Sequence, residues 1–168
     1  CRVVGPLGGA TPGRSLGLTW YCGGRVPLRL YSVYGDASGT RVAVEDTAAM
    51  VRGALVDAEA SGAVPALVCA DLNATLGDLP VAATLGLCGW RDLGVEPTCV
   101  SNAAVSRRID VLVASPALQG RVRWVDHTWT SGVAVHAVQR VGVFAGPTPL
   151  VPRWVPAPAM PVPSSDAC

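Results

Sequence analysis

Apolar positions change their period several times along the chain, and each change marks an element. Residues 1–16 are rich in Gly and Pro and show little periodicity. The β-prone runs 18–22 and 25–34 then flank Gly23-Gly24, a pair able to take positive φ at both centres of a tight turn, which predicts a hairpin. Val44, Ala48, Val51, Leu55 and Ala58 recur at helical spacing, with Glu45, Asp46, Arg52, Asp57 and Glu59 elsewhere on the wheel. This predicts an amphipathic helix over 43–60 whose task is packing. Residues 64–70 are apolar and stop abruptly at Asp71-Leu72-Asn73, the pattern of a buried strand that delivers polar groups at its C-terminal end. A short helix over 79–87 with Pro80 in its first turn, a buried strand over 109–114, and strands over 122–129 and 133–143 complete the expected order. Strands interleaved with two helices imply an α/β or α+β sandwich. The seven prolines of 147–163 predict an extended tail, so the domain is placed at 14–145 and the tail at 146–168.

Composition narrows the class without naming a chemistry. With 168 residues, 50% apolar and 15% charged, the chain suits one globular domain and is no disordered polyelectrolyte. The net charge of +1 argues against a large non-specific DNA footprint but leaves room for a locally basic groove. All cations are Arg, from which no mechanism follows. The six cysteines include no CxxC pair and no zinc-like Cys/His spacing. Cys69 and Cys88 lie in apolar surroundings and read as buried small hydrophobes, which favours an intracellular setting. The longest uncharged stretch, 127–139, is far short of the ~20 apolar residues a membrane span needs, so no membrane partner is expected. A first residue of Cys, in mid-pattern, suggests a fragment or a product of gene truncation.

Candidate chemistry comes from polar residues in places where a strand has no use for them. Asp71 and Asn73 are two apart and share a face while the chain stays extended. A carboxylate beside an amide suits a phosphate site, the one polarising a water or holding Mg²⁺, the other orienting a phosphate oxygen. The same pair also suits an Asx-type turn after a strand. Asp110 lies in the apolar run Ile109-Asp110-Val111-Leu112-Val113, where an unpaired charge costs several kcal/mol. Arg107 or Arg108 offers it an ion pair. His136, a second polar misfit in Val133-Ala134-Val135-His136-Ala137-Val138, offers another: on neighbouring strands, Asp110 would fix the imidazole tautomer and leave the far nitrogen for a substrate. Asp126-His127 reads as a solvated turn.

The succession Tyr31-Ser32-Val33-Tyr34-Gly35, Ala70-Asp71-Leu72-Asn73, Ser106-Arg107-Arg108-Ile109-Asp110-Val111-Leu112-Val113-Ala114-Ser115, and a last strand with His136 resembles the endonuclease/exonuclease/phosphatase superfamily. That group includes apurinic endonucleases, DNase I-like nucleases, inositol polyphosphate phosphatases and retroelement endonucleases. Its motifs read approximately as "vYgP", "GDxN", "sRIDyilvS" and "SDHxPv". The resemblance implies an α+β chain, a partial four-layer αββα sandwich whose N-terminal third is missing, with exposed sheet edges. It implies that Tyr34 contacts the scissile phosphate, Asp71 activates water, Asn73 assists it, Asp110 orients the histidine, and His136 binds or protonates the phosphate. It further implies Mg²⁺ as cofactor, with Asp71 on its metal side, and DNA as the substrate class. Two departures stand out. Val135 occupies the place of the aspartate before the last-motif histidine, and the metal-binding Glu of an upstream "QE" strand has no counterpart. A phosphomonoesterase or phosphoinositide phosphatase of the same fold, and a non-catalytic, retroelement-derived nucleic-acid-binding remnant, remain as alternatives.

Overall fold

The computed structural model describes residues 2–4, 13–22, 26–94, 96–100, 106–129 and 135–144. The Gly23-Gly24 turn and the tail 146–168 lie outside the described residues. Strands β1 (Arg2–Val4), β2 (Ser15–Cys22) and β3 (Val26–Tyr34) form an antiparallel run, with Ser15 opposite Val33 and Cys22 opposite Val26. The hairpin read from the sequence is therefore present. Its first strand starts earlier than expected, and β1 lies within a stretch whose composition hides it.

Helix α1 (Arg41–Ala60) starts where Thr40 Oγ1 accepts the Ala43 N–H at 3.2 Å, satisfying one of the orphan donors of the first turn. It carries the chain over to β4 (Ala66–Asp71), which runs parallel to β3. A 3₁₀ turn (Leu76–Asp78) and the short helix α2 (Ala82–Leu87) follow. The single helix expected over 79–87 is thus shorter and starts after Pro80. The reason is local: proline disfavours helical backbone in the residue before it, and Leu79 is extended at φ −84°, ψ 134°.

Strands β5 (Arg91–Asp92), β6 (Cys99–Val100), β7 (Ser106–Arg107) and β8 (Asp110–Ala114) come next, then helix α3 (Pro116–Gln119), which the sequence did not suggest. Strands β9 (Val122–Thr128) and β10 (Val138–Val143) pair antiparallel in a second sheet. The first sheet is mixed and six-stranded, in the order β1-β2-β3-β4-β8-β5. The class is α+β, as expected.

Alternation along the strands divides the side chains between two cores. Tyr31, Val33, Val68, Ala70, Val111 and Val113 face α1 and α2, packing on Met50, Val51, Ala54 and Leu85. Leu28, Leu67, Leu112 and Ala114 face the opposite way, against Leu118 of α3 and Val141 and Val143 of β10. The result is three layers: helices, large sheet, small sheet. On the small-sheet side, Leu16 and Trp20 of β2 are exposed, opposite Ser32 and Leu28 in register, so part of that inner face is uncovered.

The helix side holds a closed polar network. Asp57 Oδ2 of α1 accepts the Tyr31 hydroxyl and an Arg29 N–H, each at 2.6 Å. Burial, and then the Asp57 carboxylate beside it, push the Tyr31 phenol well above its ordinary value. Cys69 is partly buried and its thiol is pushed up to about 11 by burial, whereas Cys88, expected in the interior, is exposed just beyond α2. Among the described residues no helix is long and apolar enough to cross a membrane.

Candidate active site

Three of the sequence-predicted site residues form one row. Tyr34 pairs in register with Asp71, and Asp71 with Asp110, across β3, β4 and β8. By the alternation above, all three side chains share the small-sheet side, at the end of the first sheet. Two carboxylates side by side repel unless a positive group joins them. His136 joins them here: its Nδ1 lies 3.0 Å from Asp110 Oδ2, and ligating atoms of Asp71, Asp110 and His136 all fall within 4.8 Å of one another.

Local chemistry ends β4 and shapes this corner. Asp71 Oδ1 accepts the Asn73 backbone N–H at 3.1 Å while Asn73 takes the left-handed region at φ 52°, which Asn tolerates better than most residues. The Asx-turn reading of this pair is therefore realised. Asn73 does not continue the strand. Its Nδ2 reaches back to the Gly35 carbonyl at 2.9 Å, which also accepts from Arg14 Nη1 at 3.0 Å. Gly35 donates to the Asp71 carbonyl at 2.7 Å, and a Cβ there would lie 2.2 Å from the Leu72 oxygen, so only glycine permits this closure. The Arg14 guanidinium sits 5.6 Å from the Tyr34 ring centroid, and Tyr34 is half exposed at the mouth of the site.

Burial raises the Asp71 carboxyl above its usual range. The Asn73 N–H pulls the other way, the Asp110 charge adds to the rise, and His136 partly offsets it. A carboxylate held this way is a better proton acceptor than a solvated one.

The Asp110–His136 pair forms by a route the sequence did not suggest. β8 and β10 are not neighbours: β8 lies between β4 and β5, and β10 pairs with β9. His136 also precedes β10, making a single bridge to Cys99, with Val135 at φ 59° just before it. The partner expected from the Arg107-Arg108 pair is likewise different. Arg108 forms a close ion pair with Asp92 of β5 and gives Asp110 only a long bond to its carbonyl, at 3.5 Å. Asp110 is the first residue of β8 rather than an interior one, which leaves its carboxylate partly open.

Asp126 and His127 are in β9, not in a turn. Asp126 pairs closely with Arg140 across the hairpin. His127 lines a separate pocket of about 110 Å³ with Thr98, Arg108 and Gln139. Sequence reasoning missed Thr98, which is 1% exposed and whose Oγ1 accepts the backbone N–H groups of Ile109 at 3.2 Å and Asp110 at 2.9 Å. It lies in an aperiodic stretch, and no residue-type pattern marks it.

No family model matches the chain, and no curated protein matches it. Solved structures do. An endonuclease/exonuclease/phosphatase from Beutenbergia cavernae superimposes with a TM-score of 0.55 at 21% identity, over 76% of this chain and 39% of its own. A 3′ phosphatase from Neisseria, solved with a product DNA hairpin, gives 0.54 at 16%, over 78% and 65%. A mannosyl-6-phosphatase from Bacteroides thetaiotaomicron gives 0.52 at 16%, over 68% and 48%. The described part of the chain is thus α+β and shares the fold of these endonuclease/exonuclease/phosphatase structures. It spans between 39% and 65% of the length of these three structures.

Proposed function

We propose that the chain is part of a metal-assisted phosphodiester hydrolase acting on DNA. The observation that carries this reading is the register row of Tyr34, Asp71 and Asp110, closed by His136 at 3.0 Å from Asp110. Asp71, with its raised proton affinity, takes the proton of the attacking water. Asp110 holds the Nδ1–H of His136 and leaves Nε2 to bind a phosphoryl oxygen or protonate the leaving group. Tyr34 and the Asn73 amide, which keeps a second N–H and a carbonyl oxygen, orient the phosphate.

The donor set fits Mg²⁺ in part. Asp71 and Asp110 offer hard oxygens beside the His136 imidazole. When bound there, the ion would neutralise charge on the phosphate and lower the pKa of a ligated water. Val135 adds nothing, since its side chain has no donor atom. DNA as substrate is supported by the fold shared with the DNA-bound 3′ phosphatase.

Incubation with supercoiled and nicked DNA in Mg²⁺ tests the proposal. Cleavage by the wild type, lost in Asp71→Ala and in chelator, is the expected result. Release of inorganic phosphate from small monoesters, without strand cleavage, would replace it with the phosphomonoesterase reading, which the fold shared with the mannosyl-6-phosphatase supports. A salt-sensitive DNA shift with no turnover would instead mark a binding fragment.

A further inference from the structure

We propose that Thr98 is the positioning residue of this site, the side chain that sets the separation of Asp110 and His136. The two residues it serves are 26 apart in sequence and stand on elements that share no ladder. Something else must hold their side chains at hydrogen-bonding distance, and the hydrogen bonds of Thr98 run to Asp110 and to Ala137, the residue after His136.

On one side, Thr98 Oγ1 accepts the N–H of Asp110 at 2.9 Å and that of Ile109 at 3.2 Å, while its own N–H donates to the Arg107 carbonyl at 3.0 Å. The hydroxyl thereby pins the backbone from which the Asp110 carboxylate projects. On the other side, the Thr98 carbonyl accepts the Ala137 N–H at 2.7 Å, next to His136. Cys99 bridges His136, and Val100 donates to the Val135 carbonyl at 3.0 Å, extending the same contact. One threonine, 1% exposed, thus bonds the backbone of Asp110 on one side and that of Ala137, the neighbour of His136, on the other.

The hydroxyl is the discriminating atom. Replacing it with a methyl of similar shape leaves two N–H groups without their acceptor, and a group so stranded costs about 1–3 kcal/mol unless the backbone moves to find water. Movement of Asp110 is what would uncouple it from His136. A serine keeps the acceptor and loses only a methyl.

The test compares Thr98→Val with Thr98→Ser in the full chain. Its first readout is the proton resonance of the His136 Nδ1–H, which requires no catalysis. A downfield signal in the wild type and in Thr98→Ser, lost or shifted upfield in Thr98→Val while the core methyl spectrum stays native, is the expected result. The second readout rests on the proposed hydrolysis: kcat for DNA cleavage is expected to fall about 10- to 100-fold in Thr98→Val at unchanged KM, and to recover in Thr98→Ser, since displacement of a reacting group by about 1 Å costs up to ~10²-fold. A folded Thr98→Val protein with an unshifted ring signal overturns the proposal. Should Thr98→Val not fold, Thr98→Cys takes its place under the same criteria. A wild type that cleaves nothing sinks the hydrolase reading and leaves the ring signal to decide the role of Thr98.

Discussion

Two clusters, each with Asp at its centre, sit on opposite faces of the first sheet and meet only at β3. On the helix side, Asp57 receives Arg29 and Tyr31, one anion against one cation and one hydroxyl. On the small-sheet side, three residues further along β3, Tyr34 opens a row in which Asp71 and Asp110 share a single imidazole. The first cluster is balanced and covered by α1. The second is anionic, sits at strand ends and is partly open. A fold seeking stability alone would not set two carboxylates side by side with their charge so poorly matched, and such an excess is common where a substrate or cation completes the balance. The difference separates a group of residues that holds the sheet to its helix from one whose charges are unbalanced, the cluster for which a ligand is proposed above.

The sharpest break in this comparison should come from His136→Ala and Asp110→Asn. In the DNA cleavage assay each is expected to lower the rate by about 10²- to 10⁴-fold, the usual range for an acid–base group and its partner. Their urea unfolding midpoints should stay near the wild-type value. A large loss of stability without loss of turnover would make the second cluster structural like the first.

Asp57→Ala should do the reverse. It strands the Arg29 guanidinium and the Tyr31 hydroxyl in a partly buried setting, with side-chain exposure of 20% for Arg29. A loss of about 2–3 kcal/mol in urea unfolding is expected, discounted from the cost of breaking a fully buried pair, with cleavage per folded molecule unchanged. Tyr31→Phe removes only one of the two donors and leaves the ion pair, so about 1 kcal/mol is expected by the same measurement.

The mildest outcome is a change of sign. Burial raises the folded-state pKa of Asp71, so its proton is held more tightly in the folded than in the unfolded chain. The stability tied to that proton is complete below the ordinary aspartate value of 3.8 and is lost as pH rises through the higher folded value. Asp71→Asn removes the ionising group. It should raise the thermal midpoint at pH 7, with the gain closing as the pH falls below 3.8, and it should abolish cleavage. A lower midpoint at pH 7 would show that Asp71 is stabilising, as Asp57 is.

The sequence already holds much of this, because periodicity records which face of an element is covered. The spacing of Val44, Ala48, Val51, Leu55 and Ala58 predicts α1, and the apolar run ending at Asp71 predicts β4 and the corner it delivers. Asp110 and His136 are recognisable as two polar misfits whose natural explanation is each other. Tertiary structure alone decided how they meet. Strand adjacency was the expected route, yet the contact forms between the first residue of β8 and a residue ahead of β10, beside a bridge at Cys99 and the bonds of Thr98. It also decided that Arg108 turns to Asp92, leaving the Asp110 side chain to His136. The physical reason is one of range. Local patterns register burial and backbone preference over a few residues, whereas the partner of a charge depends on which distant segments the folded core brings within reach.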